Sequence, residues 1–97
     1  MVKVTKSYTR RSNLTPWFNS TTQADTHFTY VSNNHNRTTS FQDSANGLVR
    51  TYTIIYPDFD AYANYINDDT VQNGISARKL YNQNNNISES FAAKETI

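Results

Sequence analysis

The stretch NGLVRTYTIIYPDFDAY, residues 46–62, decides the fold of this chain. Asn46 and Gly47 tolerate the positive φ that a two-residue hairpin turn requires. The following LVRTYTIIY, residues 48–56, is rich in the β-branched and aromatic residues that suit a strand, so together they predict a strand leaving a hairpin turn. Pro57 closes that strand, and Asp58 stands where it can cap a helix whose first turn also carries Asp60, beside the positive end of the helix dipole. Within the strand, Leu48, Tyr52, Ile54 and Tyr56 fall on one side and Val49, Thr51, Thr53 and Ile55 on the other. An antiparallel sheet with one wet face alternates more cleanly. The expectation is therefore a second sheet face that packs against a sister subunit or a neighbouring protein.

Upstream, Arg37 to Asp43 completes the hairpin as a weak strand anchored by Phe41. Before it, Ala24, Phe28, Val31 and His35 recur at helical spacing, with Thr21 or Thr22 as the cap. The preceding RSNLTPWFNS, residues 11–20, holds Pro16 among turn-forming residues and reads as a loop whose rings, Trp17 and Phe18, must pack somewhere. Residues 2–10 alternate, with Val2, Val4 and Tyr8 on one side. Lys6 interrupts that side, and the expectation is a stem that packs at a sheet end while the ammonium reaches water.

Downstream, Phe59, Ala63 and Ile66 share a helix face until Asn67, Asp68 and Asp69 break the pattern and cap a second segment carrying Val71, Ile75 and Arg78. The run Asn82, Gln83, Asn84, Asn85, Asn86 ends it, because asparagine competes for backbone bonds and accepts the left-handed conformation. A last strand follows, with Ile87, Glu89, Phe91, Ala93, Glu95 and Ile97 on one side. The order strand, helix, strand, strand, helix, strand predicts one α+β domain over residues 1–97. Its form is a ferredoxin-like βαββαβ fold, a four-stranded antiparallel sheet with two helices on one face.

Residues 49–87, VRTYTIIYPDFDAYANYINDDTVQNGISARKLYNQNNNI, resemble the second half of small dimeric α/β-barrel proteins, a family that includes antibiotic-biosynthesis-monooxygenase-like domains. The shared texture is an apolar strand, an aromatic-rich helix, a short acidic break and a final strand. That resemblance implies homodimers paired sheet to sheet, with a cavity that in some members hosts substrate or haem. In size and in its Asn-, Thr- and Tyr-rich composition, the chain also resembles small virion-associated proteins of tailed phages.

Composition narrows the chemistry. Val, Ile, Leu and Phe supply only 19 of 97 residues, yet the net charge of +1 and an aromatic share of 13% oppose disorder. Zero cysteines exclude disulfides, thiol catalysis and cysteine-based metal sites. No run of residues is apolar enough to span a membrane, and no apolar leader follows the basic start. Near-neutral charge argues against a general nucleic-acid binder, although Lys3, Lys6, Tyr8, Arg10, Arg11, Trp17 and Phe18 mix bases with rings. With only Gly47 and Gly74, no glycine-rich phosphate cradle exists. His27 and His35 differ by about 80° around the first helix, too far to share a metal. Asp58, Asp60, Asp68 and Asp69 read as helix caps, since the other ligands of a calcium loop are missing.

These exclusions predict a non-enzymatic structural protein, free of cofactor and metal. It would be a virion component, a capsid-decorating, head–tail or tail subunit assembled in the host cytoplasm and acting through contacts with other virion proteins or its own copies. Trp17, Tyr52, Ile54, Tyr56, Tyr62 and Tyr65 are the residues expected at those contacts, because large rings with polar tips suit interfaces. The competing expectation is a dimeric-barrel enzyme or ligand binder with a pocket between sheet and helices, using His27 or Tyr52. A pocket lined by convergent polar groups favours the second, and a continuous exposed patch the first.

Overall fold

The computed structural model describes the backbone of residues 1–96 and the side chains of residues 1–91. Four strands, β1 (Val2–Thr9), β2 (Thr38–Asp43), β3 (Val49–Tyr56) and β4 (Ser88–Thr96), form one antiparallel sheet in the order β2-β3-β1-β4. Three helices, α1 (Thr22–Asn34), α2 (Phe59–Ile66) and α3 (Asp69–Asn84), supply the other layer, with a single 3-10 turn at Phe18–Ser20. Two helices were expected. The second is divided because the Asp68 carboxylate accepts from the N–H groups of Thr70 and Val71 and starts α3 afresh, while Asn67 ends α2. Asp58 and Thr21 cap α2 and α1 in the same manner.

The hairpin differs from its expected form. Its loop runs from 44 to 48, not through two residues, because the Asn46 side chain accepts from the Leu48 N–H at 3.0 Å and the Ser44 hydroxyl at 2.7 Å. Gly47 supplies the positive φ of 72° and Asn86, after α3, the other at 57°.

Register fixes the faces. Val2 pairs with Tyr56, Val4 with Ile54, Lys6 with Tyr52 and Tyr8 with Arg50, so these eight side chains point to the helices. The opposite face carries Thr5, Ser7, Thr51, Thr53, Thr38, Ser40 and Gln42, with Val49 and Ile55 as the apolar exceptions on β1 to β3. There Ser7 and Thr51 hydroxyls bond across the strands at 3.2 Å. On β4 one extra residue intervenes between the partners of Thr5 and Lys6. The expected side-chain alternation of Ala93, Glu95 and Ile97 lies outside the described residues.

The core is split in two. Val2, Val4, Val31, Ile54, Tyr56, Tyr65 and Val71 form the larger cluster, and Tyr8, Trp17 and Ile87 form the smaller. On β1 the clusters are separated by one inward residue, Lys6. Its place is mid-strand rather than at a sheet end, because its alternation phase is that of Val4 and Tyr8.

Candidate functional site

Between the two apolar clusters lies a pocket of about 70 Å³, closed on one side by the sheet and on the other by α1 and α3. Lys6, Tyr8, Tyr52 and Ile54 form its floor, and Trp17 and Phe18 close one end. His27 of α1 and Arg78 of α3 enter from the helices, and Arg37 from the connection before β2. It opens into a groove of about 390 Å³ that shares Asn19, Phe28, Arg37, Thr39 and Tyr52. The groove exists because β2 is exposed along its whole length, so the helix layer leaves that edge of the inner face bare.

The close fit of α1 on α3 depends on one glycine. The His27 imidazole lies against Gly74, where an added Cβ would overlap its ring. Burial there pushes the His27 pKa down to about 4, aided by Arg37, Arg78 and Lys6, so the imidazole is neutral at pH 7.

Positive charge gathers in this pocket, and no described residue that lines it is an acid. Among the described residues Lys6 makes no hydrogen bond or ion pair, and burial, then Arg78 and Arg37, lower its pKa to about 8. Arg37 is held by rings, with its guanidinium 4.4 Å from the centroid of Tyr65 and Nη1 donating to the Tyr56 hydroxyl at 3.2 Å. Arg78 donates from Nη2 to Glu89 at 3.2 Å, but its Nε is buried with no partner among the described residues. Buried Asn82 takes the other Glu89 oxygen at 3.0 Å. Burial raises the Tyr8 hydroxyl to about 12, leaving a neutral donor on the floor. The arrangement offers amine, guanidinium and phenol donors inside aromatic walls, which is what a small organic anion requires.

A second polar cluster, at the junction of α1, α2 and α3, is fully matched. Asp68 Oδ2 accepts from the Tyr30 hydroxyl at 2.7 Å and from His35 Nε2 at 2.8 Å, while Oδ1 caps α3. Those two donors hold the Asp68 carboxyl down to about 2. His35 also meets Tyr65 edge-on at 5.6 Å between ring centroids. The orienting acid absent from the sequence pattern around His35 is thus a helix cap that does double duty.

Of the six residues expected at an interface, Trp17, Ile54, Tyr56 and Tyr65 are buried in this chain's own core, and Tyr52 and Tyr62 are half-buried beside it. The Tyr56 hydroxyl finds its partner inside the chain, in Arg37. Trp17, Tyr52, Ile54 and Tyr65 instead line the pocket, as does His27. The cations were missed. Lys6 was legible, being inward in phase between Val4 and Tyr8, and Arg78 stood on the stripe of Val71 and Ile75; nothing local marked Arg37.

Among the described residues, no three His, Asp or Glu side chains gather as metal ligands would, and no helix is long and apolar enough to cross a membrane. Comparison with protein-family models, with curated proteins and with solved structures finds no match for this chain.

Proposed function

We propose that this chain is a ligand-binding protein for a small organic anion, built on a ferredoxin-like frame in which the strand order, read from the other edge, runs β4-β1-β3-β2. The observation that carries the reading is the convergence of Lys6, Arg37 and Arg78 on one aromatic-walled pocket that no described acid lines, with Glu89 pairing to Arg78 from outside the lining. Half-buried cations with an incomplete set of partners cost stability, and an anion that enters offsets the cost. Arginine favours a carboxylate, which its planar fork meets with two hydrogen bonds.

Thermal unfolding against a series of acetate, lactate, phosphate and sulfate solutions at fixed ionic strength tests this. At about one hundred times its dissociation constant, a bound anion adds about 2.7 kcal/mol, which raises the Tm of a chain this size by about 10 °C or more. Equal Tm values across the series would refute the reading.

A second reading is a structural subunit, such as a virion component, acting through protein contacts. It is supported by the uncovered outer face of the sheet, where Val49 and Ile55 flank a band of hydroxyls. Light scattering over a range of concentrations tests self-pairing through that face: a dimer dissociated by Ile55→Lys supports it, and a monomer at all concentrations removes it.

A further inference from the structure

Resting on the anion-binding reading, we propose that Lys6 is an amine nucleophile for a small 2-oxo acid, which it captures as an imine while the acid's carboxylate meets the Arg37 and Arg78 guanidiniums lining the same cavity. Three features favour this over passive charge pairing. Lys6 projects from mid-strand into the pocket, between two apolar clusters, and has no acceptor among the described residues. The walls are apolar and aromatic, through Trp17, Phe18, Phe28 and Ile54, which disfavours a fixed ammonium. Two guanidiniums supply the anchor that holds a carbonyl near the amine.

The step balances without any other reactant. The Lys6 nitrogen bonds to the carbonyl carbon, and the π pair moves to oxygen. That oxygen leaves as water carrying two protons from the original ammonium. The product is a protonated imine, so the positive charge stays on nitrogen beside the acid's carboxylate.

The groups facing Lys6 set its reactivity. On the sheet these are Tyr8, Tyr52 and Glu89; from the helix layer and its connection come His27, Arg37, Arg78 and Lys79. Only Glu89 favours the ammonium, and burial with the cations outweighs it, giving a pKa of about 8. At pH 7 roughly a tenth of Lys6 is then free amine, against less than about one part in a thousand for an ordinary lysine.

The test uses the full chain with pyruvate and sodium cyanoborohydride, followed by intact mass and peptide mapping, with acetate and lactate Tm shifts measured in parallel. The expected result is a reduced pyruvate adduct on Lys6 that forms about tenfold or more faster than on Lys3, Lys79 or Lys94, and whose rate rises with an inflection near pH 8. Acetate should compete. Lys6→Arg should lose the adduct, and should that variant not fold, the wild-type peptide map decides alone. Tm shifts with acetate but no preference for Lys6 would overturn the amine chemistry and leave the anion pocket standing. No shift and no preferred adduct would remove both.

Discussion

The two polar clusters of this molecule differ in one respect: whether their charges are matched. At the helix junction Asp68 meets Tyr30, His35 and the start of α3, and every group has its partner. In the pocket, Lys6 has none among the described residues, Arg78 keeps an idle Nε, and Arg37 leans on rings. Buried or half-buried charge that is matched serves the fold, whereas unmatched charge costs stability and persists where a ligand completes it. The same helix shows both outcomes, since α1 sends His27 to the pocket and ends at His35 in the matched cluster.

Breaking the matched cluster should have the largest effect. Asp68→Ala removes two side-chain partners and the α3 cap together, and a fall in Tm on the order of 10 °C is expected by calorimetry. Tyr30→Phe, which removes one of the three, should cost only part of that.

Breaking the unmatched cluster should act in the opposite direction. Lys6→Met keeps the stem and deletes a cation whose pKa is lowered from 10.5 to about 8 by burial and then by Arg78 and Arg37, a shift that corresponds to about 3 kcal/mol. The anion-free protein should gain about 2 kcal/mol in urea unfolding while the anion-dependent rise in Tm disappears. Loss of stability in that variant would mean that Lys6 has a structural partner.

Gly74→Ala sharpens the contrast through packing. The new methyl overlaps the His27 ring, so a loss of about 1–2 kcal/mol is expected despite the better helix propensity of alanine. In a His27→Ala background the overlap is gone, and the same substitution should become stabilising by about 0.5–1 kcal/mol. A double-mutant cycle without that change of sign would show that the imidazole does not seat on Gly74.

Acid titration separates the clusters with the smallest signal. The folded pKa of His27 is depressed, so the unfolded chain binds its proton first and stability should fall between about pH 6.5 and 4, by about 1–2 kcal/mol after allowance for solvent screening. The contribution of Asp68 is present above pH 4 and is lost only as pH drops from there through about 2. His27→Ala should abolish the first limb and leave the second.

Much of the fold was legible because local patterns and tertiary packing agreed. The strands around 2–10 and 48–56, the helix after Thr21 and the left-handed end of the asparagine run all follow from alternation, caps and φ preference. The hairpin loop was misjudged because side-chain bonds from Asn46 outcompeted the tight turn. The site was harder. His27 and Tyr52 were placed in a pocket, but the aromatic residues expected outside are mostly core, since a chain with 19 large aliphatic and phenylalanine residues must also bury its tyrosines. Arg37 reaches the pocket only through the order of strands, which no local spacing encodes.

Whether the pocket's cations await an anion is decided by NMR titration of Lys6 in protein carrying lysine labelled at Cε, with and without saturating acetate. Lys6 should titrate at about 8 in the anion-free protein and clearly higher when acetate is bound, because an anion favours the ammonium. A Lys6 that titrates near 10.5, or whose pKa acetate leaves unchanged, would contradict it.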